Sequence, residues 1–191
     1  MVRMSVFQTE GCGFEPRLLL HIRNLTMSEE SIVEKEYSVN LRTLSFIFNE
    51  QNEVLLLERA GDMFDGGMFN ALGGHIERGE NLFDGAIREV VEEAGFTPDK
   101  NELAGIVHVT NFFGNNVVVV VTKSFTDKKD FVDSEEGKLK WVKIEDLEKY
   151  NVYKDLKIYM DRILNNKKKF SGVGVFDGKG GLVSLDLKDL D

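Results

Sequence analysis

The sequence offers most of its chemistry in three glutamates, Glu89, Glu92 and Glu93. They are spaced i, i+3 and i+4, so a helix would place all three carboxylates on one face. Like charges at this spacing repel one another and destabilise a helix unless a positive charge lies among them. Hard divalent cations such as Mg²⁺ or Mn²⁺ take carboxylate oxygens as ligands. The spacing therefore indicates a cation site, although a solvated acidic face is the commoner reason for three glutamates alone.

The residues around this acidic stripe favour the cation site. Gly73 and Gly74 allow the backbone to approach a ligand closely, and a carbonyl there can add a metal ligand. Arg88 lies on the flank of the stripe, and its planar fork can reach back to Glu80 and lock the preceding loop against the helix. A solvated helix face requires neither these residues nor the glycine at position 95 that ends the helix.

The elements that must position these residues follow from hydrophobic periodicity and turn residues. Apolar residues recur on one helical face over residues 81–94, which predicts the helix that carries the stripe. Hairpins are predicted over residues 41–49 with 53–58, 103–113 with 117–125, and 171–176 with 182–187. A loop is predicted over 60–69, a strand over 138–144 and the core of a terminal helix over 158–166. This order lacks regular βαβ alternation and predicts a mixed sheet flanked by helices.

Composition restricts the class of protein and its partners. The 191 residues include 42% hydrophobic and 30% charged residues, which is typical of a globular chain that can bury a core. The single cysteine, Cys12, excludes an intramolecular disulfide, and no apolar run is long enough to span a bilayer, so a cytoplasmic location is expected. The net charge of −9 disfavours a nucleic acid polymer but leaves a metal-bound nucleotide open as a ligand. A monomer and a homodimer both remain open.

Residues 1–38 differ from the rest of the chain. Two short strands are predicted at residues 2–8 and 18–24, followed by an acidic, Ser-rich linker, and no chemistry is evident there. The sequence therefore predicts an N-terminal extension over residues 1–38 and a catalytic domain over 39–191.

The most specific feature is the run from Gly74 to Phe96, GHIERGENLFDGAIREVVEEAGF, which resembles the complete Nudix box. The resemblance implies an α/β fold, the α/β/α sandwich around a mixed sheet, and Mg²⁺-dependent hydrolysis of a phosphoanhydride bond in a nucleoside diphosphate derivative. It implies that the cation ligands are Glu89, Glu92, Glu93 and the Gly73 carbonyl, and that Arg88 and Glu80 form a structural ion pair. The cations would neutralise the diphosphate and activate a water molecule. Glu92, Glu93 and Glu136 remain alternatives for the carboxylate that takes its proton.

The substrate is suggested by three further stretches, residues 69–74, 132–141 and the C-terminal end, which resemble MutT-type 8-oxo-dGTP diphosphatases. By this resemblance Asn70 hydrogen-bonds a purine, Phe64 lines the base pocket, Tyr153 stacks on the base and Asp155 reads its edge. The chain departs from the family at Leu156, where a second base-reading aspartate is expected, and at Tyr153, where the family has tryptophan. The resemblance implies hydrolysis of a purine nucleoside triphosphate, such as 8-oxo-dGTP, to monophosphate and pyrophosphate.

The residues assigned to the base also fit ordinary structural roles, and the substrate has alternatives. Asn70 beside glycines is often a turn former, Asp155 is often a helix cap, and Tyr153 could be a core residue. His75 and His108 are interpreted as structural rather than as metal ligands. A Nudix enzyme acting on ADP-ribose, a dinucleotide or a nucleotide sugar is an alternative within the family. A regulator that binds a nucleotide without cleaving it is an alternative from another class, although such proteins often lack box glutamates.

Overall fold

A computed structural model describes residues 37–61, 65–128, 130–132, 134–166 and 168–190. Nearly all of the predicted N-terminal extension lies outside these residues, and so does Phe64, the residue predicted to line the base pocket. The boundary at residue 38 and the role of Phe64 therefore stay predictions.

Most of the described residues contribute to a single sheet with helices on its two faces. The elements are β1 (Asn40–Phe48), β2 (Glu53–Arg59), β3 (Phe69–Asn70), α1 (Leu82–Ala94), β4 (Lys100–Phe112), β5 (Asn115–Phe125), β6 (Gly137–Lys143), α2 (Lys154–Asp161), β7 (Phe170–Phe176) and β8 (Leu182–Asp189). A 3₁₀ helix, Ile144–Lys149, precedes α2, and a π-helical turn, Arg162–Asn166, continues it.

The sheet is mixed, as the sequence predicts. Its strand order is β3-β2-β1-β5-β4-β7-β8, with β6 paired to β2. The β1–β5 and β4–β7 pairs are parallel, whereas the other pairs are antiparallel. The segments of chain between the parallel partners contain helices, α1 between β1 and β5 and α2 between β4 and β7. Parallel neighbours cannot be joined by a tight turn.

Two apolar clusters lie on opposite faces of the sheet, because β1 and β2 bury side chains in both directions. Val90 and Ala94 of α1 pack with Ile47 on one face. On the other face, Leu156 of α2 packs in the cluster that contains Phe46. Alternate residues of a strand point to opposite faces, so the near-continuous apolar runs of β1 and β2 match a sheet covered on both sides. The predicted α/β/α sandwich is confirmed.

Two local predictions, a turn and a loop, differ from the structure, and a third, the helix core, is extended by it. The β4–β5 turn lies at Phe113 and Gly114, both with positive φ (47° and 78°), rather than at residues 114–116. A two-residue turn with two positive φ angles matches the twist of a hairpin. The terminal helix, whose core was predicted over residues 158–166, begins at Lys154, and its N-cap residue Tyr153 makes no side-chain capping bond. The two-residue strand β3 falls at the end of the predicted loop.

A close approach between β4 and β7 determines what packs against α2. Gly105 pairs with Phe170 across the parallel strands, and a Cβ on Gly105 would lie 2.3 Å from the Phe170 ring. The Phe170 ring in turn stacks on Tyr159 of α2, with ring centroids 6.0 Å apart and planes 6° from parallel. The absence of a side chain at Gly105 therefore lets Phe170 and Tyr159 take their positions.

Candidate active site

Helix α1 carries the three box glutamates, and its ends are fixed by local interactions. The Asn81 side chain accepts a hydrogen bond from the Phe83 N–H, which caps the first turn. Gly95 adopts the left-handed conformation, with φ 73°, and ends the helix. Burial of Val90 and Ala94 against the sheet turns Glu89 and Glu93 inward, whereas Glu92 faces solvent.

Glu93 is a buried carboxylate held against the glycine loop. Its side chain is 3% exposed and accepts a hydrogen bond from the Gly73 N–H at 2.9 Å. Burial, reinforced by the nearby charges of Glu136 and Glu89, raises the pKa of Glu93 to about 8 against the opposing effect of the Gly73 hydrogen bond. A buried carboxylate among other carboxylates is an environment that favours a compensating cation.

Arg88 organises the acidic face of α1, which carries Glu89, Glu92 and Glu93, and joins this face to the preceding loop. Its Nε and Nη2 atoms donate to the two oxygens of Glu80 at 2.8 and 3.2 Å, and Nη2 also donates to the His75 carbonyl at 2.8 Å. Nη1 donates to Glu89 at 3.0 Å and to Glu92 at 2.9 Å. These bonds raise the pKa of Arg88 and lower that of Glu80. The structure thus places the predicted Arg88–Glu80 pair in contact, as a bidentate ion pair.

The two glycines before the helix allow the loop to meet the carboxylates. Gly73 has a φ of 141°, and a Cβ there would lie 2.3 Å from the Thr43 carbonyl oxygen. A Cβ on Gly74 would lie between 2.4 and 2.6 Å from the carboxylate atoms of Glu89. A Cβ atom essentially never lies this close to a non-bonded atom, so side chains at either position would displace the strand or the carboxylate.

The donor chemistry of this face fits a hard divalent cation. It offers the carboxylates of Glu89, Glu92 and Glu93 beside the Gly73 peptide, and oxygen donors of this kind suit Mg²⁺ or Mn²⁺. Within the described ranges, no three His, Cys, Asp or Glu side chains already converge as a complete ligand set. The Arg88 guanidinium instead bridges Glu89 and Glu92. Since the exposed Arg88–Glu92 pair is worth only about 0.3–0.5 kcal/mol, it can readily give way to a cation.

A chain of polar contacts, which the sequence did not suggest, links the acidic face to α2. Arg59, at the end of β2, donates from Nε to Asp65 at 3.0 Å, and its Nη1 lies 3.5 Å from Glu136. The hydroxyl of Tyr153 donates to the other oxygen of Asp65. Burial raises the pKa of Tyr153, so this phenol is neutral and acts as a donor. Asp65 lies in a glycine-rich loop, where sequence alone gave no reason to single it out.

A cavity of about 110 Å³ adjoins the glycine loop and brings together residues predicted separately. Its walls include Asn70, Gly73, Tyr153 and Asp155, which were predicted, and Arg42, Thr43, Leu44, Asp65, Phe112, Val119 and Tyr159, which were not. Gly73 touches both Glu93 and this cavity, so the acidic face and the cavity are adjacent. Most of the unpredicted residues come from β1, β4 and β5, whose apolar residues indicated only burial.

A second cavity, of about 400 Å³, lies next to the first. The two cavities share Asp65, Tyr153 and Asp155. The β7–β8 hairpin forms the other wall of the larger cavity through Phe176, Lys179, Gly180, Gly181 and Leu182. Tyr153 therefore stands between two spaces, the larger of which has the size of a small-molecule site.

Asp155 and Asn70 combine local bonding with a place on the cavity wall. The Asp155 carboxylate, in the first turn of α2, accepts hydrogen bonds from its own N–H and that of Leu156, and burial raises its pKa to about 6. The Asn70 side-chain oxygen accepts from the Ala71 N–H at 2.9 Å. Asp155 and Asn70 therefore make local bonds with the backbone and also line the cavity. Leu156, which replaces the family's second aspartate, is 1% exposed and belongs to the core.

His75 is engaged by an arginine. The Arg42 Nε donates to His75 Nε2 at 3.2 Å, and Arg42 Nη2 lies 3.0 Å from the same atom. Burial and the charge of Arg42 both lower the pKa of His75, so the ring is neutral at pH 7. These contacts are in keeping with a structural role for His75.

The fold and the box define the class to which the protein belongs. The family model described as the NUDIX domain matches residues 40–163. The chain belongs to the Nudix family and is a Nudix hydrolase, as the sequence predicts. In the described part of the chain, no helix is long and apolar enough to cross a membrane.

Individual members of the family resemble this chain in sequence and in structure. The chain is 29% identical over 154 residues to the oxidized purine nucleoside triphosphate hydrolase of Mus musculus, an alignment covering 79% of this chain and 96% of that protein. The crystal structure of a mutator MutT protein from Bacillus halodurans superposes with a TM-score of 0.69 at 24% identity, covering 78% of this chain and 98% of that one. The NUDIX domain of Shewanella oneidensis NrtR, in complex with ADP ribose, gives a TM-score of 0.61 at 17% identity, covering 71% and 92%. The two structures support the fold.

Proposed function

We propose that this Nudix hydrolase cleaves a purine nucleoside triphosphate, with an oxidised purine such as 8-oxo-dGTP as the preferred substrate, to monophosphate and pyrophosphate. The observation that carries the proposal is the position of Gly73, whose peptide meets Glu93 on one side and the cavity of Asn70, Tyr153 and Asp155 on the other. A triphosphate on the acidic face would extend its base into that cavity. The similarity to the mouse hydrolase over 79% of the chain supports the same substrate class.

The carboxylates and the Gly73 carbonyl would hold Mg²⁺ or Mn²⁺ at the acidic face. When bound, the cation neutralises phosphate charge and makes an attacking water more acidic. Glu89 and Glu93 lie inward and are oriented by Arg88 and Gly73 respectively, which makes them the best-placed ligands. Glu92 and Glu136 are about half exposed, with side-chain exposures of 56% and 50%, so each can accept a proton and pass it to solvent. Glu93 remains the third candidate for the proton acceptor.

The base would be held by an aromatic ring and a few polar groups. Tyr153 has its ring fixed by the Asp65 hydrogen bond and borders both cavities, so one face can stack on a purine. Asp155 and Asn70 lie on the wall of the smaller cavity and can bond to the purine edge. A buried polar group left unpaired by the wrong base is costly, which gives such a site its selectivity.

ADP-ribose is the second candidate substrate. The cavity of about 400 Å³ beyond Tyr153 offers additional room, and its wall carries Lys154 and Lys179. The fold similarity to an ADP-ribose-bound NUDIX domain is in line with this alternative.

Pyrophosphate release from a nucleotide panel in the presence of Mg²⁺ tests the proposal. The panel contains 8-oxo-dGTP, dGTP, dATP, ADP-ribose and a dinucleotide, and each is assayed with the wild type, Glu92→Gln, Glu93→Gln and Glu136→Gln. Removing an essential acid or base lowers kcat by about 10²–10⁴-fold. Glu148→Gln serves as the control, since Glu148 is 83% exposed and pairs only with Lys157 in the described part of the chain.

Preferential turnover of 8-oxo-dGTP by the wild type and Glu148→Gln, lost in a site variant, is the expected result. The dinucleotide and ADP-ribose are followed by phosphatase-coupled release of phosphate from their products. Turnover of ADP-ribose alone would replace the proposed substrate. Tight nucleotide binding without any turnover would favour the regulator alternative.

A further inference from the structure

Tyr159 stands out because its ring is in the core while its hydroxyl lacks a partner. The residue is 1% exposed, and its ring is stacked on Phe170. Within the described part of the chain, its hydroxyl oxygen is buried and makes no hydrogen bond. Buried hydroxyls are nearly always bonded, so a native hydroxyl without a partner requires a physical reason.

The position of Tyr159 on α2 supplies that reason. Asp155 and Tyr159 are one helical turn apart, at i and i+4, and both line the cavity of about 110 Å³ beside Asn70. The charge of Asp155 acts on the phenol and, together with burial, raises the pKa of Tyr159. Because the ring is locked against Phe170, the hydroxyl cannot turn out to solvent. Since Tyr159 forms part of the cavity wall while its hydroxyl is closed to water, a group that enters the cavity and displaces the side chains around the hydroxyl is the partner available to it.

We propose that the Tyr159 hydroxyl is a specificity-determining group that donates a hydrogen bond to a carbonyl oxygen of the bound purine. The inference rests on the proposed function and adds to it the edge of the base that is recognised. The Asp155 carboxylate can only accept hydrogen bonds, whereas the neutral Tyr159 phenol can donate one. An acceptor and a donor one helical turn apart match a base edge that presents an N–H beside a carbonyl, which is the lactam edge of an oxopurine.

The conservative substitution Tyr159→Phe removes the hydroxyl and keeps the ring against Phe170. The variant is expected to raise KM for 8-oxo-dGTP about tenfold, in line with the loss of one hydrogen bond and the partner it leaves unpaired. The kcat is expected to change less than about twofold, because the hydroxyl contacts the base rather than the phosphates. The melting temperature should be unchanged or higher, because the substitution removes an unbonded buried hydroxyl.

Two controls separate base recognition from a structural effect. A deoxyribose triphosphate that lacks a base should show the same KM with Tyr159→Phe as with the wild type. Tyr150→Phe removes a phenol that packs at the edge of the same core, against Phe69, but does not line either cavity near α2. This variant should match the wild type in KM for 8-oxo-dGTP.

The outcomes distinguish the inference from the function on which it rests. If the wild type turns over 8-oxo-dGTP and Tyr159→Phe has an unchanged KM, the hydroxyl does not read the base and the inference alone is overturned. An equal rise of KM for the base-free triphosphate, or a lower melting temperature with a loss of kcat, also overturns it. If the wild type turns over no oxopurine triphosphate, the proposed function fails, and the lactam assignment fails with it.

Discussion

The two ends of the candidate site are built in opposite ways. The acidic end comes mainly from one short stretch, from Gly73 to Glu93, in which a loop and the helix after it place the three box glutamates and Arg88. Glu136 is the one candidate group of this end that comes from another part of the described chain. The base end draws single residues from distant parts of the chain, among them Thr43, Asp65 and Tyr159. The acidic end is tied together by charged hydrogen bonds from Arg88, whereas the wall of the base end mixes three aromatic rings with polar side chains from several elements.

This contrast teaches that the reaction and the choice of substrate are encoded differently. A divalent cation and a diphosphate need several oxygen ligands at close and fixed spacing, which one loop and one helix can supply. A base needs a fitted cavity, which only the packing of several elements can form. Changes at the acidic end should therefore lower kcat, and changes at the base end should raise KM.

Gly74→Ala tests the acidic end and carries the largest expected effect. The new Cβ would overlap the Glu89 carboxylate and displace it. A displacement of about 1 Å in a catalytic site can lower the rate about 10²-fold, so kcat should fall by that order with little change in KM for the nucleotide. Gly61→Ala is the control, since a Cβ there meets no atom of the described residues within 4 Å. Comparable kcat values for the two variants in a steady-state assay would show that the close approach is not required.

Tyr153 tests the base end with an intermediate effect. Stacking of an aromatic side chain on a base contributes about 1–3 kcal/mol, so Tyr153→Ala should raise KM about 10–100-fold while kcat is largely retained. Tyr153→Phe keeps the ring but loses the bond to Asp65, and it should raise KM only a few-fold. Measured KM values that are the same for Ala and Phe would assign the effect to the Asp65 bond rather than to stacking.

The pH dependence of base recognition should give the smallest effect. Because burial raises the pKa of Asp155 to about 6, its carboxyl is protonated below that pH in the free enzyme and ionised above it. An ionised Asp155 accepts a stronger hydrogen bond from the purine than a protonated one. The ratio of kcat/KM between the wild type and Asp155→Asn should therefore be constant above pH 6 and fall by up to about tenfold per pH unit below it. The ratio cancels titrations that both proteins share, and a ratio that is flat from pH 5 to pH 8 would exclude the role.

The same contrast accounts for what the sequence could predict. Glu89, Glu92 and Glu93 are recognisable from spacing because a helix converts i, i+3 and i+4 into one face. Arg88 and Glu80 lie eight positions apart, within reach of a single loop and helix turn, and their contact was predicted. Apart from β3, the strands of the described residues and the mixed sheet follow from apolar patterning and were also predicted.

The residues that the sequence did not reveal owe their roles to tertiary contacts. Asp65 resembles any loop aspartate until Arg59 and Tyr153 are folded against it. Tyr159 resembles any apolar-face residue of a helix, because its hydroxyl becomes unusual only when the core closes around it. Asp155 and Asn70 were predicted through family resemblance alone, and their local bonds would have justified them as ordinary cap and turn residues.

Gly105 gives the protein a way to change its substrate range from outside the cavity. The residue lies in β4, and the ring of Phe170 fills the space that its side chain would occupy. Phe170 supports Tyr159, and Tyr159 forms part of the cavity wall. A mutation that enlarged residue 105 would press this stack toward the cavity and make the cavity shallower without replacing any residue of its wall. Under the proposed function, selection between oxidised and unmodified nucleotides would therefore act on a strand glycine that lies behind Phe170 and Tyr159.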